Sequence, residues 1–357
     1  MRSHNAKSKI LTIIFFCSFY QLAFAGIALS RGEKAGEVSV LDDKKAMPGK
    51  FSYVAPLSGW LVEIDLNGTI VNSFKIPSKY RENLRSAADV EWIPQLNEFL
   101  IVSPKKGVFR AKLNGDVSWS CDSNFISHDA DYLQDGSVVY VNGWDDLGED
   151  EPIFTWLNKE CEVIHTIRAS ELKLKKERFR ADKNNPTDNS HTHTNAVQLI
   201  SNDLVLLSLR NYDEIIVVSL KKKKIVRRYY KAKHVHDPMP VDPNVSPKDM
   251  EFFYADRARG QRLMQTRSKP ERKKPRVIWN SIDREPDFRG IKNNGLRRLW
   301  TPLRTVEILP NGNFLLTGSA YLGQVTKNGE LVWEIRLNGF VNQHEYGDFI
   351  YKAAFRE

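Results

Sequence analysis

Cysteine is scarce in this chain. Three stand in 357 residues, at positions 17, 121 and 161, and no two have a Cys-x-x-Cys spacing. That excludes a thioredoxin-like redox motif and a cysteine-ligated zinc site. Also lacking are a Gly-x-x-x-x-Gly-Lys-Ser/Thr loop and a Gly-x-Gly-x-x-Gly after a strand. Nucleotide cradles of the two commonest kinds are thereby excluded. No stretch beyond the N-terminal segment is apolar enough to span a bilayer, which excludes a bundle of membrane helices.

The N-terminal segment itself is informative. Arg2, Lys7 and Lys9 precede an apolar run from Ile10 to Leu22, and Ala23-Phe24-Ala25 offers a small-x-small site before Gly26. This is the layout of a secretory signal peptide. The alternative is an uncleaved anchor, because the apolar stretch can continue to Leu29 and reach the ~20 residues of a spanning helix. Gln21 and the Ala-Phe-Ala triplet favour cleavage after Ala25. The expected product is periplasmic or secreted, with no stable membrane insertion after cleavage. Cys17 leaves with the signal, and Cys121 and Cys161 fall at similar strand-turn positions of successive repeats, where an oxidising compartment would let them pair. Without the three basic residues of the signal, 50 basic and 44 acidic side chains remain, an excess of +6. It lies in patches such as KKKK at 221–224 and KPERKKPR at 269–276. Such runs read as solvated turns; a nucleic-acid partner is not expected, while anionic small molecules are.

Short β-rich runs alternate with Asn-Gly and Asp-Gly turns, the signature of hairpins. GWLVEIDLNGTIVNSF (59–74) is strand, turn, strand, and GVFRAKLNGDVSWS (107–120) and GQVTKNGELVWEI (323–335) repeat it. HDADYLQDGSVVYVNG (128–143) and RTVEILPNGNFLLTG (304–318) superpose on each other; segments 87–103 and 193–210 are looser copies. With Ala88, His128, His193, His236 and Arg304 as equivalent starts, the spacings are 40, 65, 43 and 68 residues. Two match the roughly 40–50 residues of a four-stranded propeller blade. The longer two accommodate polar insertions at 171–190 and about 257–294. The expected fold is all-β, a single six-bladed β-propeller over 51–357 after a signal (1–25) and a linker (26–50). The strand at 349–355 should pair with the first blade, since an open ring leaves sheet edges unpaired.

His128, His193 and His236 stand at equivalent starts of three repeats. Equivalent positions in a ring converge on its axis, so the three should meet. Each histidine alone also fits plain turn chemistry, with Asp129 and Asp237 bonding backbone amides. His165 and His344 lack the blade-start context and read as structural; His191 and His234 read as rim residues.

At these segments the chain resembles the bacterial arylsulfotransferase family that works without a nucleotide sulfate. FSYVAPLSGWLVEIDLNGTIVNSF is similar to that family's first blade. HTNAVQLISNDLVLLSLR is similar to its "H-x-N … S-x-R" element, and HVHDPMPVDPN to the blade with its reactive histidine. RTVEILPNGNFLLTGSAYLGQVTKNGELVWEI is similar to its final blade, and the likeness spans 50–357. Two departures stand out: Val235 replaces the usual glutamine, and Val-Asp-Pro-Asn replaces Leu-Pro-Asn-Gly after His236. The resemblance implies a six-bladed propeller with His236 as nucleophile, surrounded by Arg210, His193 and His128. His236 is preferred to His234 because His236-Asp237 repeats His128-Asp129. It implies transfer of a sulfuryl group from a small-molecule aryl sulfate to a phenol, with no cofactor. These residue types suit that chemistry: imidazole can carry the group covalently, and an arginine fork matches the sulfuryl oxygens. Two alternatives stay open. One is a non-catalytic binding propeller. The other is a metal-dependent propeller enzyme with imidazole ligands, against which Arg210 and the lack of evident carboxylate ligands count.

Overall fold

The computed structural model describes residues 29–357 except 85–87, 143–147, 149, 151, 176–178, 181–190, 231, 257–261, 268–273, 282–302 and 341–349. The proposed signal (1–25) and His344 lie outside the described residues. Six antiparallel sheets follow one another. The first blade holds β2 (Lys50–Ala55), β3 (Trp60–Ile64) and β4 (Ile70–Lys75). The second runs from β5 (Asp89–Ile93) through β6 (Glu98–Ser103) and β7 (Gly107–Lys112) to β8 (Val117–Asp122). The third comprises β9 (Ala130–Tyr132), β10 (Val138–Val141), β11 (Pro152–Leu157) and β12 (Val163–Arg168). In the fourth are β13 (Thr194–Ser201), β14 (Leu204–Leu209), β15 (Glu214–Ser219) and β16 (Lys224–Tyr229). The fifth has β17 (Val235–Pro240), β18 (Phe252–Asp256), β19 (Arg262–Gln265) and β20 (Arg276–Asn280). The sixth has β21 (Val306–Ile308), β22 (Phe314–Thr317), β23 (Tyr321–Val325) and β24 (Leu331–Leu337).

Closure is double. The C-terminal strand β25 (Ala353–Arg356) joins β2 as the first blade's innermost strand, with Phe51 opposite Phe355. That register, together with ion pairing between Arg356 and Glu63, ties the chain's end to its first blade. At the other end, β1 (Gly36–Leu41) adds a fifth strand outside β24. The linker expected over 26–50 is therefore partly structural: Gly36, Val38 and Val40 alternate toward the sheet with more exposed Glu37, Ser39 and Leu41. The insertion expected at 257–294 also needs correction. Two of its short runs, RLMQ and RVIWN, are the outer strands of the fifth blade, their apolar residues hidden among charges.

Side-chain packing explains why the blades stay together. Six buried apolar clusters fill the six interfaces between neighbouring blades. The cluster joining the sixth blade to the first centres on Trp333 and Phe51, whose rings stack 4.5 Å apart, so the ring is closed by core as well as by hydrogen bonds. The turns obey their residues: in Asp65–Thr69 the Asp65 carboxylate takes the Asn67 and Thr69 amides at 2.9 Å, and Gly68 adopts φ +72°. Cys121 of β8 and Cys161, in the β11–β12 turn, form a disulfide with Cα atoms 5.6 Å apart, joining the outer sides of the second and third blades. Among the described residues no helix is long and apolar enough to cross a membrane.

Candidate functional site

Carboxylates stitch the inner strands of the second, third, fifth and sixth blades each to the next and thereby set the relative height of the residues on the axis. The Asp89 side chain accepts the Ala130 amide at 3.3 Å, Asp129 accepts Val197 at 2.7 Å, and Asp237 accepts Val306 at 2.8 Å. A second row repeats this two residues further on: Glu91 takes the Tyr132 amide at 3.0 Å, Asp131 takes Leu199 at 3.2 Å, and Glu307 takes Phe355. In this register His128, Asn195, His236, Arg304 and Tyr351 form one layer, with Ala88 as the sixth member. Sequence alignment of the blade starts had put His193 in that layer; the stitching places Asn195 there instead. β13 also carries a register irregularity between Thr194 and Ala196 where it pairs with β14.

His193 nevertheless reaches the same centre. It sits at φ +47°, a left-handed conformation rare for a side-chain-bearing residue, and its Nε2 is 3.2 Å from Nε2 of His128. His234 and Asp237 flank His236 with φ of +45° and +47°. Strain of this kind gathers where surrounding structure holds side chains in place for a purpose. Arg210, at the end of β14, is anchored by its amide on the His193 carbonyl at 3.3 Å. Its Nη1 lies 2.9 Å from both ring nitrogens of His193. On the far side, Arg304 stacks its guanidinium 4.4 Å over the Tyr351 ring, and that ring is 5.3 Å from His128 and 6.5 Å from His236. The four residues expected from sequence, His128, His193, Arg210 and His236, are thus gathered around one centre. All are buried.

Hydrogen bonding determines the state of His236. Its Nδ1 is 2.9 Å from the His234 carbonyl, which can only accept, so Nδ1 carries the proton. In the neutral ring Nε2 is then the lone-pair nitrogen, facing the Asn195 amide at 3.3 Å. Asn195 is itself oriented by donating from the same Nδ2 to the Val235 carbonyl at 3.2 Å. His234 therefore serves through its backbone: its own amide bonds Asp213 at 3.0 Å, and its carbonyl aims the neighbouring ring. His128 bonds Ser127 Oγ through Nδ1 at 2.7 Å. Burial pushes its proton affinity well down, and the nearby His193, Arg304, Arg210 and Lys352 push it the same way, so it stays neutral at neutral pH. His191 bonds the Tyr212 hydroxyl at 2.9 Å, and His165 lies on the outer strand β12. Neither belongs to the centre.

One residue deeper, Lys352 lies among three aspartates: 2.6 Å from Asp129, 2.8 Å from Asp237 and 4.0 Å from Asp89. Burial opposes its charge, but the three carboxylates outweigh that and hold the ammonium well above the ordinary lysine range. Beyond it opens a cavity of about 240 Å³ whose lining includes Glu91, Asp131, Gln198 and Glu307. Burial, reinforced by neighbouring acids, lifts Asp131 and Glu307 to about 8. The channel thus has a histidine–arginine end and an acid end.

Asn195, Arg304, Tyr351 and Lys352 were not singled out as site residues from sequence. Asn195 was visible in the H-x-N element, and Arg304 stood at a repeat start. Tyr351 and Lys352 are carried by the closing strand's segment, whose blade partner lies about 300 residues away in sequence.

No protein-family model and no curated protein matches the chain. Solved structures do. A protein of unknown function from Bacteroides caccae aligns at TM-score 0.53 and 13% identity, over 87% of this chain and 100% of its own. A streptogramin B lyase aligns at TM-score 0.49 and 9% identity, over 90% and 94% of the two chains. Virginiamycin B lyase from Staphylococcus aureus gives 0.48 and 10%, over 87% of each. At such identities the likeness concerns the fold: the chain is a six-bladed β-propeller.

Proposed function

We propose that the protein is an exported, arylsulfotransferase-like enzyme that moves a sulfuryl group from an aryl sulfate to a phenol through His236. The observation that carries this reading is the tautomer of His236. A backbone carbonyl holds the proton on Nδ1, so Nε2 carries the lone pair, which meets the Asn195 amide at 3.3 Å within the layer that also holds His128 and Arg304. In the first step Nε2 attacks sulfur, the sulfur–oxygen ester bond breaks, and the phenolate departs to take a proton. In the second, an acceptor phenol attacks sulfur, the nitrogen–sulfur bond breaks, and the phenolic proton passes to a base. Neutral His128 is suited to that role. Arg210 would face the charge on the sulfuryl oxygens, which a loose transition state spreads over all three, as in phosphoryl transfer. The Cys121–Cys161 bridge supports an oxidising destination outside the cytoplasm.

Rapid mixing with 4-nitrophenyl sulfate tests the proposal. A burst of nitrophenol stoichiometric with protein is expected, with the added sulfuryl recovered on the peptide containing His236. His236→Asn should lose the burst and at least ~1000-fold in turnover, because no other group can carry the intermediate. His193→Asn should retain a measurable burst. A protein that binds aryl sulfates without burst or adduct is a binding propeller.

A further inference from the structure

The inner strands carry an acid triad twice. In the first row Asp89, Asp129 and Asp237 hold the ammonium of Lys352, at 4.0, 2.6 and 2.8 Å. Two residues further on, Glu91 follows Asp89, Asp131 follows Asp129, Glu307 follows Thr305 and Ala354 follows Lys352. The second row thus has three carboxyls again, from β5, β9 and β21, but no lysine: Ala354 stands where the ammonium-bearing side chain stood in the first. All four line the cavity of about 240 Å³. Each acid gives an oxygen to a backbone amide of the next blade, which explains its place, but among the described residues no ion pair reaches Glu91, Asp131 or Glu307. Two more residues of the cavity wall carry a buried polar atom without a hydrogen-bond partner among the described residues: the hydroxyl of Thr305, itself 3% exposed, and Oε1 of Gln198. Met239, Val306 and Phe355 add an apolar side to the same wall.

We propose that the acid end of the channel binds a small primary alkylammonium ion, which sets its charged head among Glu91, Asp131 and Glu307 as Lys352 does among Asp89, Asp129 and Asp237, and lays its short chain against Met239, Val306 and Phe355. The class of ligand follows from the lining. An ammonium has three N–H donors and no acceptor, which suits carboxyls, a hydroxyl and an amide oxygen. The apolar side calls for a hydrocarbon part, and the volume, below the roughly 300–1,000 Å³ of sites for drug-sized molecules, limits it to a few carbons. A bare metal ion fits less well. Ca²⁺ takes about 6–8 oxygen ligands, and no three metal-ligating side chains among the described residues stand close enough to hold one. Burial, reinforced by neighbouring acids, lifts Asp131 and Glu307 to about 8 and Glu91 well above its ordinary range. An entering ammonium favours the ionised carboxylates, so it displaces those protons. Lys352 at the floor is already matched by its own three aspartates. The proposal rests on the lining of the channel and not on the transfer reading.

Calorimetric titration of the intact, disulfide-bonded protein at pH 8.5 with n-butylammonium, tetramethylammonium and Ca²⁺ decides it. n-Butylammonium should bind one to one and at least ~10-fold more tightly than tetramethylammonium, which has the charge but no N–H donor. Its affinity should rise ~10-fold or more from pH 6.5 to 8.5, with a heat that varies with the ionisation enthalpy of the buffer as protons are released. Asp131→Asn with Glu307→Gln, which keeps an acceptor for each backbone amide, should weaken n-butylammonium ~10-fold or more and diminish the proton release. A urea midpoint shows whether that variant is folded; Glu91→Gln repeats the test if it is not. Nα-acetyl-lysine amide binding more tightly than n-butylammonium identifies a lysine side chain as the ligand, and weaker binding identifies a free amine. Both uphold the site. No n-butylammonium binding at either of two temperatures, equal affinity for tetramethylammonium, Ca²⁺ competing at the site with higher affinity, or unchanged binding in a folded variant overturns it. A missing burst with aryl sulfates removes the transfer reading alone and leaves these affinities untouched.

Discussion

The two ends of the axial channel are built by the same inner strands and yet carry opposite charge. At one end His128, His193 and His236 meet Arg210 and Arg304; at the other Glu91, Asp131 and Glu307 line a cavity of about 240 Å³. Lys352 and its aspartates stand between them. The acids at the cavity end are explained by structure: Glu91, Asp131 and Glu307 each take a backbone amide of the next blade. In the histidine layer the contacts between blades run instead through side-chain amide and imidazole, Asn195 to the Val235 carbonyl and His128 to His193, and the inner strands present imidazole, guanidinium and phenol to one another. Position on a symmetric frame therefore separates an acid layer that takes backbone amides from a layer of imidazole, guanidinium and phenol. It also polarises the channel, since an anionic ester is attracted toward the histidine end and repelled from the acid end.

Removing the partition should have the largest effect. Lys352→Met leaves Asp89, Asp129 and Asp237 facing one another without the ammonium, and loss of one partner from a buried ionic cluster costs about 3–5 kcal/mol. Urea unfolding should show a loss of that order, while Lys352→Arg loses much less. The sign with pH follows from the raised proton affinity of Lys352: its contribution is complete throughout the neutral range and fades only as pH rises above the lysine range. A Lys352→Met protein as stable as the parent would mean that the two ends are not separated by charge at all.

The acid end offers a smaller and opposite signature. Asp131 and Glu307, lifted to about 8 by burial, keep protons that the unfolded chain has already released. The stability these groups contribute should therefore fall as pH rises from about 4, where the unfolded carboxyls ionise, through about 8, and level off once the folded groups have ionised as well. Asp131→Asn with Glu307→Gln should flatten this slope by a few degrees in Tm, on the order of 2–4 °C per kcal/mol for a chain of this size. Scanning calorimetry at several pH values measures it. An unchanged slope would show that water in the cavity solvates both carboxylates in full.

Most of the frame was legible in the sequence because hairpin turns and alternating strands are local. Asn-Gly and Asp-Gly mark the turns, and the spacing of repeat starts marks the blades. The shared layer of His128 and His236 followed from repeat position; His193 reaches the same centre from outside that layer, bonding His128 at 3.2 Å. Three things were not legible. Asn195, not His193, holds the layer position in the fourth blade, and the bond of the Val197 amide to Asp129 that sets this register leaves no trace in the spacing of repeat starts. Tyr351 and Lys352 act next to residues more than a hundred positions away, through closure of the ring. Strand β1 looked like a linker because it lies outside the repeat it completes.

The finest test of the contrast is the titration of His128. Burial depresses its proton affinity most, and His193, Arg304, Arg210 and Lys352 add to the effect. A histidine depressed in the folded state binds fewer protons than the unfolded chain below about pH 6.5, so it contributes stability that is lost as pH falls through that range. Arg304→Gln removes one of the cations facing it and leaves burial, His193, Arg210 and Lys352 in place. The His128 ring should then titrate at higher pH than in the parent, by the share of the depression that Arg304 supplies. Proton NMR of the histidine Cε1–H signals, assigned with a His128→Gln variant, follows this directly. His165, on the outer strand β12 and lowered by burial and Lys223 instead, serves as the internal control and should not move. If His128 and His165 both titrate unchanged in Arg304→Gln, Arg304 is not part of the field at the histidine centre, and the charge contrast rests on Arg210 alone.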